Sequence, residues 1–318
     1  MQKEAGVETV AVGVDLGGTN LRTALIRQNG DVLDKQQVAT RAHEGWKRVV
    51  TRIAECIVTA QRIAAEKHVV VGAVGVGAPG VIHRDTGIVV KSPNFPDWNN
   101  LPLKAEVERE VGLPIFIEND ANAAALGEQW QGAGRGINSM ILITLGTGVG
   151  GGIVLNGRIW QGADGMAGEI GHMTLIPEGR QCGCGNRGCL EMYASARGIV
   201  QSYQETLQRF SLQAPDGFTS AQVYQAARSG DRNALDVMKH MGRMLGIGIA
   251  NLINIFNPEM IVLGGGVKDG WDLFVDAMHE EISTRAFKVP AERTKIVPSQ
   301  LGGDAGIYGA AAVAFQNL

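Results

Sequence analysis

The run Val10-Ala-Val-Gly-Val-Asp15-Leu-Gly-Gly-Thr-Asn20-Leu-Arg-Thr-Ala-Leu-Ile26 decides how this chain is read. Residues 10–14 are apolar and mostly β-branched, and residues 21–26 are a second apolar run. Two such runs joined by a Gly-rich turn predict a hairpin closed at Gly17 and Gly18. The layout returns about 130 residues later. There, residues 140–145 predict a strand that enters Gly146-Thr-Gly-Val-Gly-Gly-Gly152, and residues 153–155 return from it. A strand, glycine turn and strand occurring twice points to an internally duplicated architecture.

Between the two copies, Val49, Val50, Ile53, Ile57 and Ile63 recur at helical spacing and predict a helix over 46–67. Residues 69–76 read as a buried strand. Residues 115–117 read as another, running into Glu118-Asn-Asp120, and 121–130 has high helix propensity. Asp120 is therefore expected where a strand turns into a helix. Further on, 234–256 predicts a long helix in which Gly246 and Gly248 imply close packing. A strand over 260–263 ends at Gly264-Gly-Gly266, and helices follow over 271–286 and 306–315. Strands alternating with helices define an α/β class.

The bulk numbers agree. With 318 residues, the chain can bury one large core or two ordinary ones. Its 45% hydrophobic and 19% charged content is that of a globular protein. The formal net charge, 29 − 32 = −3, leaves no basic footprint for nucleic acid or an anionic membrane. The first residues, MQKEAGVETV, contain no apolar signal segment, and no apolar run is long enough to span a bilayer, so the cytoplasm is the expected location. In that compartment the 4 cysteines are expected to be free or metal-bound.

The glycine turns carry the first chemical signal. Asp15-Leu-Gly17-Gly18-Thr19, then Gly146-Thr147-Gly148 with Gly150, and Gly264-Gly265-Gly266 all follow predicted strands. Glycine lets backbone N–H groups converge on an anion, and Thr adds a hydroxyl donor. Asp15 suits a Mg²⁺ held through water beside phosphates. Plain tight turns would explain any one of the three. Dinucleotide binding is a competing reading, since G-x-G-x-x-G occurs at Gly75, Gly77 and Gly80 and again at Gly146, Gly148 and Gly151. Neither copy opens a clear helix, as that fingerprint requires, and a Walker A loop is absent.

Phosphoryl transfer to a hydroxyl needs a carboxylate to accept the proton, and Asp120, flanked by Asn119 and Asn122, fits that need. A polar Glu-Asn-Asp-Ala-Asn run has little use in a core, although an Asp at a helix start can equally be an N-cap. Glu169 and Glu191 sit in the polar region 162–191 and suit vicinal sugar hydroxyls. Three cysteines, Cys182, Cys184 and Cys189, fall within eight residues, and His172 precedes them by ten. Three thiolates and an imidazole make a closed, structural zinc site, with reduced buried thiols or a redox pair as the alternatives. Cys56 stands alone on a predicted helix and reads as a buried apolar residue.

These motifs resemble the ROK family (repressor, open reading frame, kinase) over nearly the whole chain, and within it the bacterial glucokinases. The residues that carry the resemblance are Gly13-Val-Asp-Leu-Gly-Gly-Thr19, Ser92-Pro-Asn-Phe-Pro-Asp-Trp98, Glu118-Asn-Asp-Ala-Asn122, Gly168-Glu-Ile-Gly-His172, residues 145–153 and 182–191, and Leu263-Gly-Gly-Gly266. The resemblance implies a hexokinase/actin-like (ribonuclease H-like) fold of two α/β domains about a cleft. The small domain would comprise 1–121 with 302–318, and the large one 122–301 with the zinc loop. It implies ATP-dependent phosphorylation of a hexose, glucose foremost, at the 6-hydroxyl, with Asp120 as catalytic base. Asn94, Asn119, Glu169, His172 and Glu191 fall on sugar-binding positions. Asp15, Gly17, Gly18 and Thr19, with 146–150 and Gly264, Gly265 and Gly266, fall on ATP-binding loops. His172, Cys182, Cys184 and Cys189 fall on zinc ligands, so His172 carries two implied roles. A homodimer or homotetramer is implied as well.

Rival expectations are a kinase for another sugar (N-acetylmannosamine, N-acetylglucosamine, mannose or fructose), a non-catalytic sugar sensor, and a dehydrogenase. Repressors of the family carry a helix-turn-helix before the first glycine turn. Asp15 lies too near the start for one, and the chain is not basic.

Overall fold

The computed structural model describes residues 7–83, 85–92, 94–212 and 217–318; Pro93, within the Ser92 to Trp98 motif, lies outside them, as do residues 1–6. The chain opens with strands β1 (Thr9–Leu16), β2 (Asn20–Ile26) and β3 (Val32–Ala39), then helix α1 (Trp46–Glu66) and β4 (Val70–Ala78). Three short strands follow, β5 (Val81–His83), β6 (Ile88–Lys91) and β7 (Asn99–Leu101), then α2 (Leu103–Val111), β8 (Ile115–Asn119) and α3 (Asp120–Gln131). The second copy begins with β9 (Met140–Leu145), β10 (Val149–Leu155) and β11 (Arg158–Ile159). Helices α4 (Glu191–Ala194), α5 (Ala196–Arg209), α6 (Ser220–Arg228) and α7 (Arg232–Phe256) lead to β12 (Met260–Gly264). The chain ends with α8 (Trp271–Arg285), α9 (Lys288–Arg293), β13 (Lys295–Pro298) and α10 (Ala305–Phe315).

Contacts divide it into two compact units, one of residues 1–136, 152–168 and 300–318, the other of 137–151 and 169–299. The expected division differs in giving α3 and residues 152–168 to the second unit. Helix α3 packs closely against α10. A Cβ on Gly309 would overlap the carbonyl of Ala123, and one on Gly127 that of Ala305, so the two helices meet backbone to backbone and stay together.

The first unit holds a sheet in the order β3-β2-β1-β4-β8, antiparallel at β2 and parallel across β1, β4 and β8. Side chains alternate across β1. Val10, Val12, Val14 and Leu16 join Val49, Ile53 and Ile57 of α1 in one core. Ala11, with Ala73, meets Ile307 and Ala311 of α10 in another. On that second face a Cβ on Gly13 or Gly75 would overlap the carbonyl of Ile307 or Ala310. These glycines let α10 lie directly on the sheet. Parallel strands end on one edge, so the ends of β1, β4 and β8 gather there. The register pairs Asp15 with Gly77 and Ala78 with Asn119. At about 4.8 Å per strand, Asp15 and the start of α3 lie roughly two strand spacings apart.

In the second unit β9, β12 and β13 are parallel, with Gly264 opposite Thr144. Both glycine turns of this unit therefore leave the same edge. Helix α7 packs on α8, where a Cβ on Gly242 or Gly246 would overlap the carbonyl of Phe274 or Met278. Gly248 instead faces Leu190, where an added Cβ would lie 3.1 Å from Cδ2. Among the described residues no helix is long and apolar enough to cross a membrane.

Candidate functional site

The first glycine turn is stitched shut by its neighbours. Gly17 N–H donates to the Asn20 carbonyl at 2.9 Å, Thr40 Oγ1 donates to the Gly17 carbonyl at 2.7 Å, and Thr40 N–H donates to the Thr19 carbonyl at 2.8 Å. A Cβ on Gly18 would lie 3.4 Å from Cβ of Asn94, so an expected sugar contact and an expected phosphate turn meet here. Asp15 points to the α10 face of the sheet, against Gly306. Its carboxylate is 3.5 Å from Arg22, whose guanidinium also donates to the Gly303 carbonyl at 2.7 Å. Burial pushes the Asp15 carboxyl from 3.8 up to about 6; Arg22 opposes this and Asp304 adds to it. A half-buried carboxylate held back from ionising, beside a glycine turn, is a site that a cation would complete. One carboxylate suits Mg²⁺ carried through water on a phosphate, and not an all-protein cage.

Asp120 is the first residue of α3, and the helix N-terminus favours a negative charge there. The cap is Asn119 and not Asp120: its Oδ1 accepts from Ala121 N–H at 2.9 Å and Asn122 N–H at 3.2 Å. Its Nδ2 donates to the Gly80 carbonyl at 3.1 Å, which leaves one amide hydrogen to donate. Asp120 Oδ1 accepts from Ala121 N–H at 2.9 Å. The polar run is not wholly exposed, contrary to expectation. Glu118 and Asn122 are buried, and the Glu118 carboxylate accepts from Asn122 Nδ2 at 2.9 Å and from Gln161 Nε2. That network sets the end of β8, and so the point from which Asp120 emerges.

In the second unit, Gly146 N–H donates to the Gly148 carbonyl at 3.0 Å, and Ala196 N–H donates to the Gly146 carbonyl at 2.8 Å. Glu191, at the start of α4, folds over this turn: its Oε2 accepts from Val149 N–H at 2.9 Å and fills the space a Cβ on Gly148 would need. Gly171 packs against the Val149 carbonyl, so the Glu169 to His172 segment sits on the same turn. Gly265, at φ 83°, packs on the Leu145 carbonyl and brings the third glycine turn beside the second. Added Cβ atoms on Gly146 and Gly266 would meet nothing within 4 Å, so both present bare backbone to open space.

His172, Cys182, Cys184 and Cys189 converge, with their ligand atoms within 4.8 Å of one another. Cys184 and Cys189 sulfurs are 3.8 Å apart, and Cys182 Sγ is 3.7 Å from His172 Nδ1. Tetrahedral zinc with bonds of about 2.3 Å to sulfur and 2.0 Å to nitrogen spaces its ligands by about 3.5–3.8 Å, so the donor set fits. Burial, and then the neighbouring thiols, push Cys189 up to about 12, a crowding of sulfurs that a cation would relieve. Gly185, at φ 97°, closes the knuckle through its N–H to the Cys182 carbonyl at 3.1 Å. His172 Nε2 points away from the sulfurs, 3.8 Å from Glu169.

Three contributors escaped sequence reasoning. Arg22 follows the first turn closely enough to have been suspected as a partner of Asp15. Thr40 and Gln161 act across 23 and 43 residues, which no local pattern reveals.

Two sheets whose parallel strands end in glycine turns, with a carboxylate at a strand-to-helix junction, define the hexokinase/actin-like class of α/β proteins. The comparisons agree. The ROK family profile matches residues 11–317. A glucokinase from Halalkalibacterium halodurans is 42% identical over 94% of this chain and 92% of its own. The crystal structure of a ROK hexokinase from Thermus thermophilus superposes with a TM-score of 0.83 at 34% identity, covering 97% of this chain and 98% of its own. That of a ROK family glucokinase from Streptomyces griseus, in complex with glucose and AMPPNP, gives 0.80 at 36% identity, covering 96% and 99%. The chain belongs to the ROK family.

Proposed function

We propose that this protein transfers the γ-phosphoryl group of ATP to the 6-hydroxyl of a hexose, with glucose the substrate. The observation that carries this reading is Asp120. It is a carboxylate on the first turn of α3, at the strand edge that also ends in Asp15 and the first glycine turn. The glucokinase names and the glucose–AMPPNP complex among the relatives support the substrate pair.

The roles follow from chemistry. Gly17, Gly18 and Thr19, with Gly146, Thr147, Gly148 and Gly150 and with Gly264, Gly265 and Gly266, offer backbone N–H groups to the phosphates of ATP. Asp15 would hold Mg²⁺ through water, and the ion supplies charge neutralisation on the phosphates. Asn94, Asn119, Glu169, His172 and Glu191 accept and donate to sugar hydroxyls. Asp120 takes the proton of the 6-hydroxyl as the new P–O bond forms. His172, Cys182, Cys184 and Cys189 would hold a structural zinc. Through His172 Nδ1 this fixes the ring, so that Nε2 faces Glu169 and the sugar. A cytoplasmic homo-oligomer is part of the proposal.

ADP release with Mg-ATP and a panel of glucose, mannose, fructose, N-acetylglucosamine and N-acetylmannosamine tests it. Glucose is expected to give the highest kcat/KM. A higher value for another sugar would keep the chemistry and reassign the pocket. No turnover with any of them in zinc-replete protein would refute the kinase reading.

A further inference from the structure

A cavity of about 460 Å³ opens in the first unit beside β8, the edge strand of its sheet. Among the described residues that line it, none is one proposed above to bind glucose or ATP. Its apolar wall comes from four elements: Phe116 of β8, Leu126 of α3, Ile159 of β11 and Val313 of α10. Its polar groups are Asp85, Lys104, Glu118, Gln161, Gln316 and Asn317. Several of these hold one another. Lys104 Nζ lies over the Phe116 ring, 5.4 Å from its centroid, and 3.9 Å from Glu108, so its charge is partly neutralised. Glu118 accepts from Asn119 N–H at 3.0 Å, from Asn122 Nδ2 at 2.9 Å and from Gln161 Nε2. Asn317 Nδ2 donates to the Val313 carbonyl at 2.8 Å. The groups left to a ligand are chiefly acceptors. They are the Asp85 carboxylate and the amide oxygens of Gln161 and Asn317, which accept no hydrogen bond among the described residues.

We infer that this cavity is a second, non-catalytic site for a neutral monosaccharide. Two carboxylates face it against one ammonium, which disfavours an anion. The ligand that fits is an uncharged donor of several hydrogen bonds with an apolar face of its own. A pyranose has both: its hydroxyls donate to the carboxylate and amide oxygens, and its C–H face lies on the apolar wall. The volume suits one small ligand. The position matters because Glu118 also holds Asn119 and Asn122, so a sugar here would touch the network that shapes the start of α3. The inference goes beyond the phosphotransfer reading and does not depend on turnover.

The test is equilibrium dialysis of the zinc-replete protein against labelled glucose, which counts the sugars bound per chain. The wild type is expected to bind two, in two classes of affinity. Gln316→Trp, at an exposed position on the cavity wall, sets an indole in the space and is expected to leave one, with kcat/KM for glucose unchanged. Asp85→Ala removes one acceptor and is expected to weaken the second class alone, about three- to tenfold. A single glucose on the wild type overturns the assignment. So do two on Gln316→Trp with both constants unchanged, or equal weakening of both classes by Asp85→Ala. Two glucose molecules bound without any turnover would instead sink the kinase reading and leave this site standing.

Discussion

At the scale of single residues, the arrangement separates the group proposed to do chemistry from the groups that shape the start of α3. Asn119 caps α3, accepting from Ala121 and Asn122 N–H, and Glu118 and Asn122 pair behind it. Asp120→Asn keeps the shape and removes the proposed base. It is expected to lower kcat about 10²–10⁴-fold with the dissociation constant for glucose within a few-fold of wild type, read by steady-state kinetics and calorimetry. A near-normal kcat would remove Asp120 from the role. Gly148 shows the opposite kind of dependence. It has no side chain because the Glu191 carboxylate occupies that space. Gly148→Ala must displace Glu191, and the KM values for glucose and for ATP are both expected to rise at least about tenfold, since one contact joins the two binding elements. A rise in only one of them would separate Glu191 from the turn.

Elements show which parts of the molecule a sequence can reveal. The knuckle from Cys182 to Cys189 was legible because its ligands are close in the chain and glycine stands where φ must be positive, as at Gly185 and Gly188. Strands β1, β4 and β9, buried on both faces, announced themselves as short apolar runs, and helix α1 by apolar residues at helical spacing. Strand β3 did not, because it is a largely exposed polar edge strand, and α5 and α6 carry their signal in the caps at Ser195 and Thr219. The buried Glu118 was misjudged because its partner Gln161 is remote in sequence. The knuckle also bears a prediction. Cys182→Ser breaks a four-ligand set and is expected to release zinc, measured by atomic absorption after dialysis, and to lower the melting temperature of the purified protein. One equivalent of zinc retained through dialysis would show the ligand set to be wrong. Helix α3 bears another. Glu128 is fully buried, and its carboxylate accepts from Ala133 N–H at 2.9 Å, Gln300 N–H at 3.2 Å and Leu301 N–H at 2.9 Å. A glutamine there presents one acceptor oxygen and an amide that repels the donors. Glu128→Gln should therefore cost about 2–4 kcal/mol in denaturant unfolding.

The whole molecule answers to pH through its buried groups, and His240 is where the sign is clearest. It lies on α7 beneath the ring of Tyr193, with centroids 6.2 Å apart. Burial, then the charges of Arg243 and Arg180, hold its pKa below 6.5, while Glu205 pulls weakly the other way. Arg180 cannot swing aside, because it is tied to Glu205, the Met192 carbonyl and Ser202 and lies over the Tyr193 ring. Above pH 6.5 the histidine is neutral folded or unfolded and contributes no slope. Below that value the unfolded chain takes up a proton that the folded chain refuses, so stability is lost as pH falls from 6.5 toward the depressed folded pKa. Zinc at the proposed site would add its own acid sensitivity through His172 and the cysteines, so the informative quantity is a difference between two proteins with the same metal content. His240→Gln should flatten the loss of unfolding free energy between pH 6.5 and the folded pKa relative to wild type, measured by denaturant titration at each pH. Parallel curves for the two proteins would assign the acid limb to the metal knuckle and clear His240 of any part in it.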